Sequence, residues 1–332
     1  MTISAIGRPA VAPSVPAGPD PRMIYLELFA ACDMSCPMCV TLPYWEGKRR
    51  MMSRQHIRER ILEPAAARAM ERVIVGGGEP SLRKDFFDIL GDISDLGLRI
   101  WLATNLLRYD DAKLATLLRR LDGGAHTVAV SYDSAVPEEM NAIRGGQVFE
   151  PVDTNCRRLA ALRREIGSDV TFCATMIVQA ENVGSVQATI DHTLETVGFD
   201  FVHVYPRHDY KSVTLENYQE QRPSEWCRQH EAELIRTGIQ LYDRARRDRR
   251  IVVMGSLDDW VQFVRSPQKI KRRCDAKRFL FFNAEGKIRT CMFGAEYADI
   301  RSASMEQVVG SDAYKEARRF LDACRICHLS SG

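Results

Sequence analysis

An alternation constrains this chain more than any other feature of its sequence. Short apolar runs rich in β-branched and aromatic residues recur at 23–28, 72–76, 98–103, 127–131, 170–178 and 201–205, and helix-like stretches separate them. A strand that must return parallel to its predecessor needs a long crossover, and crossovers of this kind are right-handed. The expectation is an α/β fold whose six strands form a parallel sheet, open or curled into a partial barrel. Ligands of such sheets bind outside the carboxyl ends of the strands, so the residues that follow each run carry the functional information.

Composition narrows the class. A chain of 332 residues can bury a large core, and 45% hydrophobic with 27% charged residues is ordinary for a globular protein. The net charge of +2 gives no field to steer nucleic acid or a membrane surface. The longest apolar stretches, such as 170–178, are strand-sized and far too short for a bilayer, so no membrane anchor is expected. Ten cysteines without the regular spacing of a small secreted scaffold, and no apolar leader, point to reduced thiols and a cytoplasmic location. Residues 1–21, rich in Pro, Ala and Gly, read as a disordered tail.

After the first run stand Cys32, Cys36 and Cys39. Three thiols on one turn can converge on one centre, and three ligands leave one position of a four-iron cluster open. A partial zinc site and incidental buried cysteines are the other readings. The second run leads into Gly76-Gly77-Gly78-Glu79-Pro80, whose glycines let backbone N–H groups approach a ligand closely. Thr104-Asn105 follows the third run, and the fourth ends in Ser131-Tyr132-Asp133. Ser131 and Asp133 are two apart, so an extended chain puts both on one face, able to hold a ribose or an amino group; each alone also suits a cap or a turn. Within the first run, Tyr25 and Glu27 oppose Ile24, Leu26 and Leu28, which makes Glu27 a candidate substrate contact inside a barrel. Pro206 to Lys211 form a polar loop at the rim. Cys173, within the fifth run, and Cys156 and Cys227, on helical stretches, read as small core residues; Cys173 and Cys227 are the candidates if a thiol must return a hydrogen atom to substrate.

Taken together, CxxxCxxC, Gly-Gly-Glu-Pro, Thr-Asn and Ser-x-Asp, each after successive strands, resemble the radical S-adenosylmethionine (SAM) superfamily over residues 23 to about 210. The resemblance implies a partial (β/α)6 radical SAM barrel in which Cys32, Cys36 and Cys39 bind a [4Fe–4S] cluster, with the amino and carboxylate groups of SAM on the fourth iron. It also implies SAM contacts from Met38, Gly77, Gly78, Glu79, Asn105, Ser131, Asp133 and Arg144, the last within an Arg-Gly pair after the fourth strand. Met38 stands where an aromatic is usual in the family, and Leu106 where Gly commonly follows Thr-Asn.

Beyond a barrel at 22–214 and a helical bridge at 215–268, with a short strand near 251–254, residues 269–332 carry Cys274, Cys291, Cys324 and Cys327. Runs 279–283 and 287–293 flank Ala284-Glu285-Gly286 as a hairpin does, and helical stretches begin at Ser304 and Ser311. By spacing alone the four thiols suit zinc or iron–sulfur equally. Cys274, eleven residues, Gly286, four residues, Cys291 and a late CxxC resemble the SPASM/Twitch extension, here the shorter Twitch form. That implies a small C-terminal α+β cluster-binding module with one auxiliary [4Fe–4S] cluster. The implied activity is reductive cleavage of SAM and hydrogen abstraction from a small polar metabolite of aminosugar, cyclitol or nucleoside type, with a flavodoxin- or ferredoxin-type reductant. Oxidation of a secondary alcohol with the auxiliary cluster as electron acceptor is the leading expectation, similar to 2-deoxy-scyllo-inosamine dehydrogenases. Epimerisation, or C–C or C–S bond formation on a sugar, nucleoside or peptide, are alternatives. A tail of 21 residues is too short for the leader-binding domain of peptide-modifying relatives. A non-catalytic iron–sulfur or zinc redox sensor is the contrasting class, and the SAM loops argue against it.

Overall fold

The computed structural model describes residues 21–39, 51–207, 225–270 and 274–324. The six expected strands are present as β1 (Met23–Phe29), β2 (Arg72–Gly77), β3 (Arg99–Thr104), β4 (Thr127–Ser131), β5 (Thr171–Val178) and β6 (Phe201–Pro206). All pair in parallel and in sequence order. Their outward residues are apolar: Ile24, Leu26 and Leu28 are at most 1% exposed, and Val73, Val75, Leu102, Val128, Val130, Phe172 and Ala174 are likewise buried. Helices cover that face. In Asp111–Leu121 the apolar stripe is Leu114, Leu117, Leu118 and Leu121, all fully buried, and Asp110 caps the start through a bond from the Lys113 N–H.

The sheet does not stop at six strands. Its order is β10-β9-β8-β1-β2-β3-β4-β5-β6-β7. At one edge β7 (Ile251–Val253), from the stretch read as a bridge, adds in parallel to β6. At the other, β8 (Phe279–Phe282) runs parallel to β1, with Tyr25 opposite Phe281 and Leu26 opposite Phe282. β9 (Lys287–Arg289) and β10 (Glu296–Asp299) extend it antiparallel. The hairpin turn has Gly286 at φ +90°, a conformation glycine reaches without cost. A Ser304–Gln307 capping box starts the helix Met305–Gly310, and Ser311 caps Asp312–Ala323. The C-terminal hairpin therefore belongs to the same sheet as the barrel. Among the described residues no helix is long and apolar enough to cross a membrane.

Candidate active site at the carboxyl ends of the strands

β1 ends at Phe29, and Cys32, Cys36 and Cys39 follow in a loop pinned to three neighbours. Gly78 N–H donates to Phe29 O and Glu79 N–H to Ala31 O, both at 2.8 Å. A Cβ on Gly78 would lie 2.0 Å from the Ala31 carbonyl oxygen. The glycine run thus does bring backbone close, but its partner is the chain's own cysteine loop. On the other side Gly145, at φ +75°, packs against Ser35, whose hydroxyl donates to Gly145 O at 2.9 Å.

Glu79 lies beneath this loop, 1% exposed. Its carboxylate accepts from the Thr104 hydroxyl at 2.8 Å, the Asn105 N–H at 2.8 Å and the Ser81 N–H at 3.1 Å. Burial pushes its pKa up and these donors oppose that shift. The motifs after β2 and β3 are in this way one unit. From it Asn105 reaches the cysteine loop, its amide donating to Asp33 Oδ1 at 2.8 Å and to Cys32 Sγ at 3.7 Å. Leu106, where the family commonly has Gly, adopts φ +56° while its side chain is fully buried. Asn155 holds the strained turn through Leu106 O at 2.9 Å.

Asp133 and Arg144 form a buried ion pair after β4. Asp133 Oδ1 also accepts from the Ile177 N–H at 2.8 Å. Arg144 approaches Cys36 Sγ with Nη1 at 3.9 Å, and Cys36 Sγ lies 3.6 Å from Arg144 O. Ser131 is half-buried at the end of β4, so it and Asp133 sit in different surroundings. Burial pushes the Cys32 thiol up to about 12 against the Met34 N–H, which donates to its sulfur at 3.4 Å. Cys36 is also raised by burial, with Arg144 opposing. Cys32 and Cys36 feel each other's charge, as do Cys36 and Cys39. Met38, half-buried, packs on the core edge.

Inside the barrel the alternate face carries polar and aromatic side chains. Tyr25 stacks at 5.5 Å from Phe281 of β8, and Trp101, His203 and Tyr205 follow one another at ring distances of 6.1 and 5.8 Å. Burial lowers the His203 pKa to about 4, so its imidazole is neutral. Glu27 points inward as its strand position requires, and Arg289 of β9 lies 3.5 Å from it. Arg289, 4% exposed, was not legible as a site residue, because its partner is at the opposite end of the chain. Lys287 and Arg289 flanking apolar Ile288 is the only local signal. Cys173 shares the interior level of Ala129 and Phe201 and is fully buried. Cys227 is buried in the helix Glu225–Gln229.

The hairpin brings the second cysteine set together: the Cys291 thiol, pushed up to about 12 by burial, lies within electrostatic reach of Cys274 and Cys324. Cys327 and rim residues 208–211 fall outside the described residues. Among the described residues no three His, Cys, Asp or Glu are drawn to the spacing of ligands on one metal ion. A four-iron cluster asks for a wider triangle, since each thiolate takes a different iron. Three neighbouring thiols with N–H donors turned toward two of the sulfurs fit that requirement.

A parallel barrel with cysteines after its first strand defines a class of iron–sulfur barrel enzymes. The Radical SAM superfamily model matches residues 26–193, and the chain belongs to that superfamily. Its enzymes bind a [4Fe–4S] cluster and SAM. The chain is 26% identical over 330 residues to a GTP 3',8-cyclase of Edwardsiella ictaluri, covering 92% of this chain and 89% of the cyclase. It is 29% identical over 182 residues to a PqqA peptide cyclase of a Methylobacterium species, spanning 55% of this chain and 45% of that protein. Among solved structures it resembles Streptococcus suis SuiB bound to S-adenosylmethionine, with a TM-score of 0.68 at 16% identity over 93% of this chain and 72% of SuiB. It also resembles anSMEcpe with bound AdoMet and the Cp18Cys peptide, with a TM-score of 0.63 at 16% identity over 92% of this chain and 89% of that one. Both are SPASM/Twitch radical SAM enzymes, and they share the fold of this chain.

Proposed function

We propose that this radical SAM enzyme oxidises a secondary alcohol of a small polar metabolite held inside the barrel. In this reading Cys32, Cys36 and Cys39 hold the SAM-binding cluster, and Cys274, Cys291, Cys324 and Cys327 hold an auxiliary [4Fe–4S] cluster as electron acceptor. Bound together, cluster and SAM supply a 5′-deoxyadenosyl radical on reduction, the electron coming from a flavodoxin- or ferredoxin-type protein. The observation that carries the reading is the docking of β8 on β1. It sets Arg289, two residues before Cys291, against Glu27 on the interior face. Glu27 is the group that accepts the substrate hydroxyl proton, and Arg289, 3.5 Å away, orients it. Trp101, His203 and Tyr205 line up as neighbouring rings and offer an aromatic surface to the substrate.

A bond-forming reaction on a nucleotide is the second reading, favoured by the end-to-end match to a GTP 3',8-cyclase. Anaerobic reconstitution and reduction with SAM should yield 5′-deoxyadenosine and about eight irons per chain. No 5′-deoxyadenosine would sink the catalytic reading, and about four irons with one zinc would remove the electron acceptor. Product mass separates this pair of readings: alcohol oxidation removes two hydrogens, whereas epimerisation, or cyclisation by addition across a double bond of the nucleotide base, leaves the mass unchanged.

A further inference from the structure

Cys32 sits in an organised polar surrounding. Its sulfur accepts from the Met34 N–H at 3.4 Å and the Asn105 side-chain amide at 3.7 Å. The same Asn105 amide donates to Asp33 Oδ1 at 2.8 Å, and Asp33 Oδ2 accepts from Arg108 Nε at 2.9 Å. Asn105 cannot turn away, because its Oδ1 accepts from the Leu107 N–H at 2.9 Å and its own N–H is fixed by Glu79. The chain of contacts runs from a half-buried cysteine to an arginine whose side chain is 65% exposed, through an Asp whose side chain is 5% exposed.

We propose that Asn105, held by Asp33 and Arg108, sets the reduction potential of the cluster at Cys32, Cys36 and Cys39. This rests on those three cysteines being its ligands. Hydrogen bonds to a thiolate stabilise the extra negative charge of the reduced state, so each donor raises the potential. Asn105 supplies one to Cys32. Arg108 acts from further away: it neutralises Asp33, whose charge would otherwise oppose reduction beside the same sulfur. Asn105 is thus a positioning and tuning residue.

The test is an anaerobic redox titration of the reconstituted full-length protein without SAM, read by electron paramagnetic resonance of the reduced cluster. Asn105→Ala should move the midpoint to more negative potential at unchanged iron content. Asn105→Asp keeps the acceptor and the shape, loses the donor and adds a charge, so its shift should be larger in the same direction. Arg108→Gln should give a smaller negative shift that fades at high salt, since its side chain faces solvent. Midpoints equal to wild type in iron-loaded Asn105 variants, or a positive shift, would overturn the proposal. So would failure of both Asn105 variants to take up iron, which would make the residue a structural one. If the wild-type protein itself forms no reducible cluster, the ligand reading fails instead, and that result is seen before any variant is compared.

Discussion

The two cysteine sites are built by different means. Around the first, side chains from four separate loops converge: Glu79 and Asn105 lock the motifs after β2 and β3 together, and Asp133 fixes Arg144 from beyond β4. Side-chain donors reach two of its three sulfurs. Around Cys291 of the second, backbone donors are prominent. The Cys291 sulfur is met by the N–H groups of Phe293 and Gly294, in the tight turn after β9. A site held by side chains from many loops can adjust its charge and shape to a bound molecule.

Paired substitutions break this comparison most sharply at the glycines. Gly78→Ala puts a Cβ 2.0 Å from Ala31 O, a backbone atom that cannot yield without moving the cysteine loop. The expected cost is on the order of 3 kcal/mol with loss of the first cluster. Gly294→Ala meets Thr290 Cβ at 2.9 Å and Cys291 Sγ at 3.3 Å, so it should cost less and reduce only the second iron complement. Urea unfolding with iron analysis checks both, and equal damage to both clusters would erase the distinction.

A smaller effect is expected from Glu79→Gln. The carboxylate serves three donors, while an amide offers one acceptor and brings an unwanted N–H. About 1–3 kcal/mol should be lost. SAM cleavage should fall more than iron content at the second site, measured as 5′-deoxyadenosine against iron per chain.

A further test concerns pH, and here the sites should agree. Cys32 and Cys291 are each pushed up to about 12 by burial, against roughly 8.5 for an unfolded thiol. A raised folded pKa gives stability that is complete below about 8.5 and lost as pH rises towards the folded value, because the unfolded thiols ionise first. The metal-free protein should therefore lower its urea midpoint between pH 8 and 10, and Cys32→Ala or Cys291→Ala should each flatten part of that slope.

Much of this was legible in sequence. All six barrel strands fall within one residue of their expected ends, since Ile24, Leu26 and Leu28 alternate with Tyr25 and Glu27 where one face is core and the other cavity. The hairpin at Gly286 and the caps at Ser304 and Ser311 were equally local. What was not local was missed. Nothing in Phe279–Phe282 says that its neighbour is Met23–Phe29, and β10, with Glu296 and Asp299 at its ends, lacks an apolar run. The polar loops were recognised, but the contacts among them were not. A Glu after three glycines looks like a ligand contact, and only the positions of Thr104, Asn105 and Ser81 show that its carboxylate also ties the loops together.

The β8–β1 pairing has a consequence for how the molecule comes into being. During synthesis β1 gains β2 early, yet its other edge must wait until Phe279–Phe282 leave the ribosome. Until then its free N–H and C=O groups face outward beside a cavity lined by Tyr25 and Trp101, an invitation to pair with a neighbouring nascent chain. The pairing that brings the two cysteine sites onto one sheet is also what covers that edge of β1.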